Sequence, residues 1–294
     1  MNLEYLKSFY WIAKCNSISK ASQKLHMSQP GLSNQLKRLE DELGYPLLSR
    51  SNQGVLLTSA GEIVFDYSKS IFKLEENMHE TIGDLNKSKN KLSIAACKNF
   101  GFTYFASKIH DFKELYSQSD IKIDTYNSSE VIDKILNYDY NIGIISGQAN
   151  LDGLEEVDFF DDKLILFTKY NYPKDSINIK DLAKHPIILR ENTSNTYSML
   201  NSFLKHNGLN IENFNILYSS NCIEIIRASV LNGCGFSFLP KGCIDFELKN
   251  KYLKEIKINN CDMNSLLNYR YSLIKRKKYK LNLYERKIRE FLFS

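Results

Sequence analysis

Three short apolar repeats, each closed by its own stop signal, crowd into the first 44 residues and leave little choice of fold. Leu3, Leu6, Phe9 and Ile12-Ala13 recur at helical intervals, so residues 3–14 form an amphipathic helix that the polar run Cys15-Asn16-Ser17 ends. A second, shorter helix from Ser19 to Leu25 carries Ala21 and Leu25 one turn apart, and His26-Met27 supplies a tight turn. Ser28 is then placed to cap a third helix, with Pro30 in its first turn, where a missing N–H costs nothing. Leu32, Leu36, Leu39 and Leu43 make its apolar face and Gly44 stops it. The opposite face presents Gln29, Ser33, Asn34, Lys37 and Arg38. Two short helices joined by a turn, over about residues 18–37, have helix-turn-helix spacing. Amides suit adenine edges, and Lys and Arg suit guanine or phosphate. The same residues also read as the solvated face of a packed helix.

The segment after Gly44 favours the nucleic-acid reading. Pro46–Arg50 and Val55–Thr58 pattern as two strands around Ser51-Asn52-Gln53-Gly54, a small hairpin behind the third helix, with Arg50 its one base. The ordered series S-I-S-K-A-S-Q-K-L-H-M-S-Q-P-G-L-S-N-Q-L-K-R-L-E-D-E-L-G, then P-L-L-S-R and L-T-S-A-G, resembles the winged helix-turn-helix of LysR-type transcriptional regulators. The resemblance implies double-stranded DNA as partner, Gln29, Pro30 and Ser33 facing the groove, and Arg50 at the root of the wing. Family wings often carry Arg or Lys at the tip; Asn52-Gln53 here implies a weaker hold on the minor groove. Charge agrees: residues 1–58 hold seven Lys/Arg and four acids, whereas residues 59–88 hold three Lys and six acids.

Ser59 and Glu62 fit a capping box, and behind them Val64, Tyr67, Ile71, Leu74 and Met78 repeat at alternating intervals of three and four. Ile82 and Leu85 continue the series one residue out of step. This is the seam of a two-helix coiled coil, although a long helix lying on its own domain would read alike. Paired DNA-binding heads require self-association, as a homodimer or homotetramer. The polar run Lys87–Lys91 serves as a hinge.

From Leu92 strands alternate with helices. Strand-like runs fall at 92–96, 121–125, 141–145, 163–168, 186–189, 214–218, 235–238, 253–258 and 270–275, which implies parallel sheets covered by helices. The expected organisation is therefore α/β and multi-domain: a winged helix-turn-helix over 1–58, a linker helix and hinge over 59–90, and a two-lobed domain over 91–294. Lobe one takes 91–161 and 270–294, and lobe two takes 162–269. The family resemblance covers this half more loosely and implies the architecture of periplasmic binding proteins, with a small-molecule effector between the lobes.

Three loops are expected to line that cleft: Cys97-Lys98-Asn99, Asn127-Ser128-Ser129, and the run Arg190–Tyr197 with Ser194, Asn195 and Thr196. One branch of the family shows R-E-x-G-S-G-T-R at the third; here Thr193 and Asn195 replace the glycines and Tyr197 the last Arg. Hydroxyls, helix N-termini and Lys98 favour a small anion or carboxylate, while each hydroxyl taken alone could merely cap a helix.

Other classes fit less well. No G-x-S-x-G, H-E-x-x-H or phosphate-binding loop occurs, so no enzyme is expected and no cofactor beyond the effector. The six cysteines form no C-x-x-C pair, and the five histidines are scattered, which argues against a disulfide framework and a metal site. No apolar run approaches the ~18 residues of a membrane helix, and no export signal opens the sequence, so a cytoplasmic protein is expected rather than a transport binding protein. Two alternatives stay open: thiol control through Cys97, beside Lys98 and a helix start, and a small-molecule binding protein without a regulatory role. The basic run Lys275–Lys280 reads as a strand end and solvated turn. RNA polymerase is a further partner that the resemblance implies.

Overall fold

The computed structural model describes all residues except 1, 52–53, 85–89, 150, 262–267 and 294. Residues 1–88 and 89–294 form two separate units. The wing tip Asn52-Gln53, Leu85 and the Lys87–Lys89 part of the hinge lie outside the described residues.

In the first unit, α1 (Leu3–Cys15), α2 (Ile18–Leu25) and α3 (Gln29–Leu43) precede an antiparallel hairpin, β1 (Leu48–Ser51) and β2 (Gly54–Leu57), and the long helix α4 (Ser59–Asp84). The stop signals act as their chemistry dictates. Asn16 and His26 close α1 and α2 in the left-handed conformation, and Gly44, at φ 77°, closes α3 where a Cβ would be strained. The Ser28 hydroxyl accepts the Gly31 N–H at 3.2 Å. Leu6, Phe9, Ala13, Leu39 and Leu47 form one core, and Ile12, Ala21 and Leu32 a second where α1, α2 and α3 meet.

Thr58, not Ser59, caps α4. Its hydroxyl accepts the Gly61 N–H at 3.0 Å and donates to the Pro46 carbonyl at 2.7 Å, while its own N–H binds the Leu47 carbonyl at 3.0 Å. These bonds fasten the helix start to the beginning of β1. The seam expected on α4 divides in two: Val64 and Ile71 pack into the unit's own core with Phe65 and Phe72, because that face lies on α1. Tyr67, Leu74 and Met78 are exposed, in line with Ile63 and Ile82.

The second unit runs β3 (Lys91–Cys97), α5 (Lys98–Phe100), a single π-helical turn (Gly101–Phe105), α6 (Ala106–Leu115), β4 (Asp120–Tyr126), α7 (Ser128–Leu136), β5 (Ile142–Ser146) and β6 (Leu154–Lys169). It continues through β7 (Ser176–Asn178), α8 (Ile179–Leu182), β8 (Ile187–Arg190), α9 (Asn195–His206), β9 (Ile216–Ser220), α10 (Ile223–Leu231) and β10 (Phe236–Pro240). Last come α11 (Asp245–Lys249), β11 (Leu253–Glu255), β12 (Lys257–Asn259), β13 (Asn268–Arg276) and α12 (Leu283–Phe293). One sheet threads both lobes in the order β4-β3-β5-β13-β6-β10-β8-β9, with β11 also on β6. Strands β3, β4 and β5 are parallel, as are β8, β9 and β10; β6 and β13 run antiparallel to their neighbours and join the halves.

The crossing strand starts at Leu154, well before the expected residue 163. Its first half reads as a loop because it carries Glu155, Glu156, Asp158 and Asp161. Three of these charges are answered across the ladder: Arg270 reaches Asp158 at 3.0 Å and Asp161 at 2.8 Å, and Lys275 pairs with Glu155 at 2.5 Å. Arg276 donates to the Tyr140 carbonyl at 2.8 Å and to Asn141 at 2.7 Å, so the start of the basic run belongs to the framework.

A Cβ on Gly61 would stand 2.0 Å from the Leu47 carbonyl oxygen, a clash between two backbone segments already bonded through Thr58. Gly61→Ala is therefore expected to destabilise the first unit by about 2 kcal/mol. Urea unfolding of the full chain checks this; an unchanged transition for that unit would show that α4 can start elsewhere.

Candidate functional site

Two surfaces carry chemistry, one in each unit. In the first, α3 buries Leu32 and Leu39 and turns a polar face outward along its N-terminal half. Gln29, Pro30, Asn34, Lys37 and Arg38 are exposed and Ser33 is half-buried. Gln29 Nε2 donates to Ser19 Oγ at 3.3 Å, which links the start of α3 to α2. Arg38 Nη1 donates to the Tyr5 hydroxyl at 2.9 Å, its guanidinium 5.9 Å from the centre of that ring, so the charge is held in place. At the far end Glu40 accepts the N–H groups of Leu47 and Leu48 at 2.7 and 3.3 Å and ties α3 to β1. A groove of about 780 Å³ between α3 and the hairpin is lined by Ser33, Lys37, Asp41, Tyr45 and Ser49 among others. Arg50 sits in β1 opposite Val55, and its side chain lies outside what the structure describes. Elsewhere in this unit, Trp11 holds the ammonium groups of Lys14 and Lys24 at 4.9 and 4.5 Å from its ring.

In the second unit the expected loops do converge. Parallel strands end on one side of their sheet, and β3, β4 and β8 deliver their following loops to the gap between the lobes. Cys97, Lys98, Asn99, Asn127, Ser128, Ser194, Asn195 and Thr196 line one cleft. Ser129, one position further along α7, turns away and is exposed. Arg190, the first residue of the third loop, lines it too, and three residues outside the expected loops complete the lining: Tyr126, Ser146 and Tyr269. Arg190 was visible as a charge at the end of the apolar run Ile187–Leu189, whereas nothing local marks Tyr269.

Much of the lining is joined by hydrogen bonds. Ser128 Oγ accepts the Ser146 N–H at 3.0 Å, and Ser146 Oγ lies 2.9 Å from the Tyr269 hydroxyl. Asn99 Nδ2 donates to that hydroxyl at 2.7 Å and to Thr196 Oγ1 at 3.1 Å. Arg190 donates through Nη1 to Asn99 Oδ1 at 2.9 Å, and through Nε and Nη2 to both oxygens of Glu191 at 2.8 and 3.0 Å. Lys98 Nζ lies 3.7 Å from the same carboxylate, so two cations share one acid and the cleft keeps a positive balance. Asn127 Nδ2 reaches across to Thr193 at 3.0 Å. The first turns of α7 and α9 both open here, adding two helix N-termini.

Ionisation follows burial. Desolvation pushes the Cys97 thiol up to about 11, although the Phe100 N–H, the Ser146 hydroxyl and Arg190 act the other way. Lying beside Lys98 and a helix start does not lower it: the thiol is buried, and the loss of water outweighs the nearby donors and charge. Burial likewise raises Tyr269 to about 12. For Glu191, burial works upward, but the bonds and charge of Arg190 prevail and its carboxyl is held below the usual range.

Comparison with known proteins identifies both units. Residues 3–62 match the bacterial regulatory helix-turn-helix of the lysR family, and residues 86–293 match the LysR substrate binding domain. A probable RuBisCO transcriptional regulator of Thalassiosira pseudonana is 30% identical over 267 residues, covering 88% of this chain and 87% of that protein. The HTH-type transcriptional regulator CysL of Bacillus subtilis (strain 168) is 28% identical over 276 residues, 92% of this chain and 91% of that one. The structure of full-length CbnR with its target DNA superposes with a TM-score of 0.68 at 19% identity, over 99% of this chain and 98% of that chain, a likeness of fold. No described helix is long and apolar enough to cross a membrane. An exposed recognition helix, a two-lobed cleft and both domain matches together make this chain a member of the LysR family of transcriptional regulators, with a helix-turn-helix unit and an effector-binding unit.

Proposed function

We propose that this regulator works in the cytoplasm as a homodimer or homotetramer, binds inverted repeats in double-stranded DNA, and is controlled by a small anion, a carboxylate foremost, held in the cleft of the second unit. The observation that carries the reading is the gathering of hydroxyls, two helix N-termini, Lys98 and the buried Arg190 around one gap between two lobes. Gln29, Ser33 and Asn34 read base edges, Pro30 faces the groove beside them, Lys37 and Arg38 grip phosphate or guanine, and Arg50 serves the wing. The exposed stripe of Tyr67, Leu74 and Met78 supports pairing through α4; Val64 and Ile71 assist by fixing that helix on its own unit. The effector acts by preferring one arrangement of the lobes and of the paired units. RNA polymerase is the onward partner. The relatives are transcriptional regulators, and the cleft network offers hydrogen bonds and charge to a ligand, so the role is binding rather than catalysis.

Selection of genomic fragments on the immobilised full chain, followed by anisotropy on the enriched sites, tests the DNA reading. Gln29→Ala and Ser33→Ala are expected to weaken specific binding about tenfold, in the range of ~1–3 kcal/mol for a base contact. Unchanged affinity would remove that residue from readout. Lys37→Ala and Arg38→Ala are expected to weaken binding evenly across sequences and to reduce the salt slope by about 0.9 for each lost phosphate contact. A changed base preference would reassign them.

Self-association gives a second measurement. Leu74→Glu with Met78→Glu is expected to shift the chain toward monomer in sedimentation velocity, and an unmoved profile would place the interface elsewhere. For the thiol alternative, the high proton affinity of Cys97 predicts that Cys97→Ser leaves peroxide-dependent promoter activity unchanged. A response lost in that variant would establish redox control.

A further inference from the structure

The cleft is already filled, and by the protein itself. Between the lobes there remains a cavity of about 10 Å³, no more than about one water. The side chain that closes it is Asn99 of lobe one, 4% exposed, set against Arg190 of lobe two, 3% exposed. A guanidinium has two edges that can hold a planar two-atom acceptor. On Arg190 one edge holds a carboxylate, that of Glu191, through Nε and Nη2. Nη1, on the other side, holds a carboxamide oxygen at 2.9 Å, that of Asn99.

A carboxamide is the neutral isostere of a carboxylate. It fits the same plane but gives up the charge-assisted part of the bond, which is worth roughly twice a neutral one. Its other atom, Nδ2, is spent on the Tyr269 and Thr196 hydroxyls, which lie 3.3 Å apart, and Tyr269 reaches Ser146 and through it Ser128. One neutral side chain thus occupies a cationic seat and the hydroxyl ring beside it at once. Lys98 and Arg190 against the single Glu191 leave room in the charge balance for one more carboxylate.

We propose that Asn99 is an internal stand-in for the ligand: a small carboxylate binds by displacing the Asn99 carboxamide from Arg190 and accepting from the Tyr269 and Thr196 hydroxyls, which turn to donate to it. Asn99 thereby sets affinity and selectivity together, because a neutral ligand gains nothing over the group it must evict. It also couples occupancy to shape, since the displaced bond is one that joins lobe one to lobe two. The inference rests on the reading of the cleft as the ligand site.

The test uses the full chain, with formate as the probe and formamide as its neutral control, since these match the group that Asn99→Ala removes. Thermal shift and calorimetric titration are expected to give at least a tenfold lower Kd for formate with Asn99→Ala than with the unaltered chain, and formamide is expected to bind the variant at least tenfold more weakly than formate. Adding Arg190→Gln is expected to abolish the gain. Equal formate affinity with and without Asn99 overturns the proposal, as does equal binding of formate and formamide, which would mean a void filled without a charge seat. Should Asn99→Ala fail to fold, Asn99→Ser keeps a hydroxyl for Tyr269 and carries the same two outcomes. The wider reading fails separately: if formate behaves as expected while no carboxylate alters DNA binding by the unaltered chain, the seat stands and the regulatory role of the cleft does not.

Discussion

One strand makes the second unit a single object with two parts. β6 runs unbroken for 16 residues, bonded to β13 in lobe one and to β10 and β11 in lobe two. Its ladder with β13 shifts register between Tyr271 and Ser272, near the middle of the crossing. Backbone bonds are therefore continuous through the sheet, while the loops on the open side of the lobes meet through side chains. Asn99–Arg190, Asn99–Thr196, Asn127–Thr193 and Lys98–Glu191 make up that meeting. A neutral hydrogen bond nets about 1 kcal/mol. A ligand that exchanges two or three of these bonds for better ones has enough free energy to reset how the lobes meet, and β6 keeps the rest of the unit in register while it does so.

The π-helical turn supplies the opposite clasp. Phe102 leaves lobe one and packs on the core of lobe two, a cluster that includes Ile223, Ile226 and Leu239. Tyr104 donates to Asp162 at 3.0 Å, and the Gly242 N–H meets the same carboxylate at 3.2 Å. A side chain at 242 would strike the Tyr104 hydroxyl, so the glycine is what lets the ring approach. Burial raises the Asp162 carboxyl, against the pull of the N–H groups of Lys163 and Gly242 and of the Tyr104 hydroxyl, which makes this clasp costly to leave unpaired.

The first unit was legible because its punctuation is local. Capping serine, N-terminal proline and terminal glycine act within a few residues, and α3 runs from Gln29 to Leu43 as they direct. Where two hydroxyls adjoin, pattern alone does not decide, and Thr58 wins over Ser59 through its bonds to Pro46 and Leu47, which are distant in sequence. The same limit governs α4: heptad spacing marks apolar residues but not the surface each one covers, so Val64 and Ile71 went inward. In the cleft, the three loops could be read because strand ends announce them, yet Tyr269 and Ser146 lie within strands whose neighbours are set only by topology. Acidic β6 was the hardest, since its partners Arg270 and Lys275 sit more than a hundred residues away.

Trp11 is the only tryptophan in the chain, and it lies in the DNA-binding unit with two ammonium groups against its ring. The 18 tyrosines are spread along both units. Excited beyond the tyrosine band, the molecule therefore emits from a single place. Its fluorescence is blind to the effector unit by construction, and the neighbouring charges make the emission maximum sensitive to how α1 and α2 sit together. Any change in that emission when a small molecule enters the cleft of the other unit would be a message received at the head, read optically without a label.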